Sequence, residues 1–72
     1  MTETAAQDEP RTLLEWALQD PHSEVRAAAA KGLAKSGNIE SISKLQVVLA
    51  DPNIAVRCMA AAALISLGEK QL

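Results

Sequence analysis

The sequence has no phenylalanine and no tyrosine, and Trp16 is its only aromatic residue. A sheet-based core is therefore disfavoured, because strands draw on aromatic and β-branched side chains. Cys58 is the only cysteine, so no internal disulfide can form. His22 is the only histidine, and neither residue has a second metal ligand of its kind, which argues against a zinc site. No apolar run is long enough to span a bilayer. The beginning of the chain lacks a basic stretch followed by an apolar one, so no signal peptide is expected and a cytoplasmic location is. No glycine-rich phosphate loop or nucleophile elbow occurs either. These absences leave a small protein built from Leu, Ile, Val and Ala, the composition of closely packed helices.

At 72 residues the chain makes one domain at most, and a domain this small is marginal by itself. The formal net charge is −2. Residues 1–9 carry Glu3, Asp8 and Glu9 with no base and read as a flexible acidic tail. From Pro10 onward seven bases face six acids, so the folded part is nearly neutral. Nucleic-acid binding would need a basic groove, and Lys31, Lys35 and Lys44 make a thin one.

Two copies of one unit emerge when residues 42–69 are slid back by 31 positions onto residues 11–38. Leu14 then meets Leu45, Leu18 meets Leu49, and Asp20-Pro21 meets Asp51-Pro52. Val25-Arg26 meets Val56-Arg57, Ala29-Ala30 meets Ala60-Ala61, Leu33 meets Leu64, and Gly37 meets Gly68. These ten identities need no gap, and a fixed period of this size marks a stacked array. Each copy reads as two helices. The first begins near Pro10, with Leu13, Leu14, Ala17 and Leu18 as its apolar stripe, and stops at Asp20-Pro21. The second starts near Ser23, runs through Val25, Ala29 and Leu33, and ends at Gly37 in a left-handed cap. Asn38 caps the third, with Ile42, Leu45 and Leu49 inward, and Asp51-Pro52 stops it. Asn53 caps the fourth, which carries Val56, Ala60, Leu64 and Leu67 to Gly68. Residues 69–72 are expected to fray.

The pattern D-P-x-x-x-V-R-x-x-A-A-x-x-L-x-x-x-G resembles HEAT repeats over about residues 11–69. The short period and alanine-rich second helix are most similar to the HEAT-like class of phycobilin lyases. The resemblance implies an all-α fold of two HEAT-like helical hairpins, four helices in all, stacked as a short α-solenoid. One domain would span residues 10–69, with repeats at about 10–37 and 38–68. The function implied is a non-catalytic protein-interaction module, adaptor or small subunit with no cofactor. The alternative is an accessory subunit of a bilin lyase-like or phycobilisome-associated system. No stand-alone enzyme is expected.

Several residues admit two readings. Asp20 and Asp51 precede helices, with Arg26 and Arg57 one turn inside them. An arginine six residues on can reach a carboxylate of its own or the adjacent repeat, forming a ladder. Repetition in both copies favours this over an acid–base or anion site. His22 reads as a capping or solvated residue rather than a catalytic one, since a catalytic histidine needs an oriented partner. Cys58 reads as a small packing residue, with a contact-surface thiol as a competing role and a bilin attachment point as one that only the family resemblance implies. Trp16 is expected to cover the open end of the stack; an exposed anchor is the alternative. Gly32, which matches Ala63 in the other copy, is expected to admit a neighbouring helix.

The difference between the copies is the main functional signal. Glu24, Ala27, Lys31 and Lys35 become Ala55, Cys58, Ala62 and Ser66, while Ala34 becomes Ile65 and Ser36 becomes Leu67. A terminal repeat should carry a polar outer face, and this one has lost its charge. Ala55, Cys58, Ala62 and Ile65 are therefore the expected protein-binding residues, for a separate protein or for self-association as a homodimer. The competing reading has Ile65 and Leu67 closing the hairpin's own core.

Overall fold

A computed structural model describes the backbone of residues 3–71 and the side chains of residues 10–70. It contains four helices: α1 (Glu3–Ala17), α2 (Ser23–Ser36), α3 (Ile39–Val48) and α4 (Ile54–Gln71). No strand occurs among the described residues. The chain forms two hairpins, α1 on α2 and α3 on α4, stacked through α2 against α4.

The local chemistry repeats as the sequence does. After α1, the backbone N–H groups of Leu18, Gln19 and Asp20 donate to carbonyls three or four residues back. Leu49, Ala50 and Asp51 repeat the arrangement after α3. Each helix thus tightens into a last turn before Asp-Pro ends it. Asn38 caps α3 through a bond from the Glu40 N–H (2.9 Å), and its own N–H donates to Ser41 Oγ, completing a capping box. Asn53 caps α4 by accepting from the N–H groups of Ala55 (2.8 Å) and Val56 (3.2 Å).

The core consists of Leu18, Ala29, Ala30, Leu33, Leu45, Val48, Val56, Ala60, Ala63 and Leu67. Alanines on both α2 and α4 let the two inner helices approach closely, as the missing aromatics require. Leu14, Ala17 and Leu18 face inward on α1, but Leu13 is exposed. Val48 takes the inward place expected of Leu49, which is itself exposed. Gly32 admits α1, because an added Cβ would lie 3.0 Å from Leu14 Cδ1.

Four boundary expectations are corrected. The first helix begins at Glu3, so residues 3–9 are helical backbone and Pro10 lies inside α1. Ala5 and Ala6 favour helix, and the acidic residues suit a helix start. Met1 and Thr2, the rest of the expected tail, lie outside the described residues. Gly37 is not left-handed; its φ is −76° and its ψ is 170°. It is needed for space, since a Cβ there would lie 2.6 Å from the Leu33 carbonyl oxygen and 3.1 Å from Ser41. Gly68 does not end α4, which runs on through Gln71; only Leu72 of the segment expected to fray lies outside the described residues.

The two glycines therefore predict opposite outcomes. Gly37→Ala should destabilise the fold by about 1–3 kcal/mol, as backbone must shift to admit the methyl. Gly68 has nothing near its Cβ position. Gly68→Ala should stabilise by about 0.5–1 kcal/mol through helix propensity. Chemical denaturation of both variants measures the two signs.

Candidate interaction surfaces

The turns that end α1 and α3 are tied together by one guanidinium. Arg26 donates from Nε to Asp51 Oδ1 (2.6 Å) and from Nη2 to Asp51 Oδ2 (3.0 Å), a bidentate fork. Its Nη1 donates to the backbone carbonyls of Asp20 (2.8 Å) and Pro21 (3.1 Å). The contact is largely shielded, with 15% of the arginine and 7% of the aspartate side chain exposed. The hydrogen bond from Arg26 holds the Asp51 carboxyl below its ordinary value of 3.8, against the opposing effect of desolvation. The same bond raises the Arg26 pKa. Arg57 repeats the inner half of the pattern, with Nη1 donating to the carbonyls of Asp51 (2.7 Å) and Pro52 (3.1 Å). The expected ladder is thus present, and its carboxylate link runs from one repeat to the next.

A second polar tie joins α1 to α3. Ser41 Oγ is fully buried and donates to Glu15 Oε2 (2.6 Å), which also accepts from Arg11 (3.2 Å). Arg11 reaches Glu40 as well (3.3 Å). Sequence reasoning missed Glu15. Its only signal was a carboxylate between Leu14 and Leu18 on an inward stripe.

On α4, Ala55, Cys58, Ala62 and Ile65 are all exposed, with Ile65 at 64% and Ile54 at 67%. Their spacing of three and four residues places them along one side of the helix. Leu67, in contrast, is 1% exposed and belongs to the core. The two residues weighed together in the sequence therefore separate: Leu67 packs and Ile65 does not.

A family model described as HEAT repeats matches residues 10–72. The chain belongs to the HEAT-repeat family. The match is to HEAT repeats as a whole and does not confirm the narrower resemblance to phycobilin lyases. No curated protein and no solved structure gives a significant match. HEAT repeats are commonly protein-interaction modules, which moves attention from polar clusters to exposed faces.

The remaining candidates of this HEAT pair sort accordingly. His22 occupies the position before α2 but its side chain makes no cap bond. The exposed ring meets Asp20 Oδ1 (3.0 Å), which also accepts the His22 backbone N–H (2.8 Å). Those bonds lower the Asp20 pKa, the backbone bond first. Trp16 does not cover an end of the stack. It is 81% exposed and borders a groove of about 430 Å³ between α1 and α3, with Val47, Lys44 and Gln19. Among the described residues no group of three or more His, Cys, Asp or Glu side chains could hold a metal. No described helix is long and apolar enough to cross a membrane.

Arg26→Ala removes the fork and leaves the largely shielded Asp51 carboxylate without it. The melting temperature should fall by about 5 °C or more in a domain this small. Arg57→Ala, which loses only carbonyl partners, should cost less. Acid should act on the same bond. A carboxyl whose pKa is lowered by folding stabilises the fold above its ordinary value and loses that contribution as pH falls through the lowered one. Stability should therefore decline below pH 3.8, and less steeply in Asp51→Asn. Thermal melts across that range read both effects.

Proposed function

We propose that this chain is a non-catalytic protein–protein interaction module, an adaptor or small subunit that docks through the outer face of α4. The observation that carries this reading is the exposure of Ala55, Cys58, Ala62 and Ile65 along one side of that helix. A solvated helix face is normally charged, and here the charges of the matching face on α2 have been replaced by small apolar groups. Such a surface has no convergent polar groups to orient a small substrate, but it suits a flat apolar partner. The polar residues support the same reading. The His22 ring is engaged by Asp20 in an exposed turn, and Ser23 makes no bond to it. The Arg26–Asp51 fork is held by both repeats as architecture.

Ala62→Glu should abolish association while leaving the helical circular dichroism unchanged, because Ala62 is exposed and outside the core. Light scattering reports self-association, and capture with the purified chain as bait reports a separate partner. A variant that retained both the mass and the captured protein of the wild type would remove the α4 face from consideration.

A further inference from the structure

The contact between the two hairpins is a template for a contact between chains, since its two sides belong to one repeated unit. Arg26 uses its Nη1 group on its own turn and its Nε/Nη2 edge on the next repeat's aspartate. Arg57 makes the first set of bonds and has no second set. Its Nε/Nη2 edge meets no acceptor among the described residues. At the other end, Asp51 engages both oxygens, Oδ1 with Arg26 and Oδ2 with Arg26 and the Asn53 N–H. Asp20 engages only Oδ1, with His22. Its Oδ2 meets no donor among the described residues. Each end of the molecule thus carries half of an ion-pair fork, donor at one end and acceptor at the other.

The apolar surfaces beside the half-forks match in the same way. On α2, Ala27 and Ala34 are partly buried and Ala30 is fully buried, with Ser66 of α4 donating to the Ala34 carbonyl (3.2 Å). Their counterparts on α4 are Cys58, Ala61 and Ile65, of which Cys58 and Ile65 are exposed. In the other direction, Val56 and Ala63 are fully buried on α4 and Met59 packs against the core. Their counterparts on α2 are Val25, which is 36% exposed, half-buried Gly32, and exposed Ala28. Every one of these residues loses cover on the side where its copy lacks a neighbouring hairpin.

We propose that a second copy of this chain stacks on the first head to tail. Arg57 of one chain donates its Nε/Nη2 edge to Asp20 of the next, and the Cys58/Ala61/Ile65 face of α4 lies on Val25 and Ala28 of the neighbouring α2. The proposal rests on the interaction-module reading and names its partner. It also sharpens the docking face: the register of the repeat selects Ala61 alongside Cys58 and Ile65. The outer helices add less, because Glu15 and Ser41 become Gln46 and Pro10 in the matching positions. The joint between chains is therefore weaker than the joint within one. A head-to-tail contact leaves a free half-fork at each end, so growth continues past two chains unless the rotation closes a ring.

The test is the mass of the full chain by sedimentation velocity over a wide concentration range. The wild type should rise past the mass of two chains. Arg57→Asp and Asp20→Arg should each remain at the mass of one chain. An equimolar mixture of the two again faces an acid with a base at every junction and should regain the lost mass. Asp20 and Arg57 also bond within their own turns, so Ile65→Glu provides a variant whose fold is not at risk. It should keep its helical circular dichroism and stay single. Three results would overturn the stack: a wild type that stays single throughout, one that stops at two with both charge reversals harmless, or a mixture that does not recover. A single chain whose capture of another protein is abolished by Ala62→Glu overturns the stack and leaves the interaction-module reading standing.

Discussion

The Arg26 guanidinium is the point on which the arrangement of the two hairpins turns. Its acceptors come from both inter-helix turns: two carbonyls of the first and the carboxylate of the second. The helices it aligns both bury alanines, Ala29 and Ala30 on α2, and Ala60 and Ala63 on α4. Alanine surfaces pack closely but are smooth, and a smooth contact does little to fix how far one helix slides along the other. Directional bonds supply what the apolar surface lacks. A bidentate fork has one good geometry, so it sets the register that the alanines then fill. The Glu15–Ser41 bond acts likewise for the outer helices, where Ser41 belongs at once to the α3 cap and to the contact with α1.

This division of labour explains which features were legible in the sequence. The Asp-Pro turns, the two arginines and the alanine pairs stood out because each unit needs the same residues at the same places, and 31-residue spacing exposes them. The ladder followed from that pattern, and its direction, from one repeat to the next, needed coordinates. Other features had no such signal. Glu15 is buried because Ser41 and Arg11 surround its carboxylate, and its counterpart Gln46 gives no hint of that. Leu13 and Leu49 sit beside the inward Leu14 and Val48 in short stripes, where helical periodicity cannot choose between neighbours. Gly37 invites a left-handed cap by residue type, whereas the Leu33 carbonyl first, and Ser41 of α3 after it, are what exclude a side chain there. Pro10 suits a first turn, but the alanines before it carry the helix further back.

On α4 the sequence and the structure answer different questions. Loss of charge relative to α2 pointed to Ala55, Cys58, Ala62 and Ile65, and all four are exposed. The comparison of charge alone cannot tell which exposed residues a neighbour would cover. Burial of the matching α2 residues can, because Ala27, Ala30 and Ala34 are covered in this very molecule. The same comparison explains why Leu67 and Ile65 part company. Leu67 is buried in the core, whereas Ile65 corresponds to Ala34, on the side of α2 that meets α4.

A stack of two units has two outward faces for a single inner contact, so its ends weigh as heavily as its middle. In longer solenoids, terminal repeats with polar outer faces relieve that imbalance. Here α2 keeps Glu24, Lys31 and Lys35 on its surface, while α4 offers Ile54, Cys58 and Ile65 at the opposite end. An apolar face of this kind attracts without discriminating, since burying methyl groups rewards many partners equally. Discrimination has to come from the polar group beside it. Arg57 stands in that position, fixed by the carbonyls of Asp51 and Pro52, with no acceptor for its remaining edge among the described residues. A partner that covers the face without a carboxylate at that edge would leave guanidinium donors desolvated and unpaired, and would be disfavoured for it. In the proposed stack, the arginine that repeats the internal fork is thereby also the filter on what the exposed helix accepts.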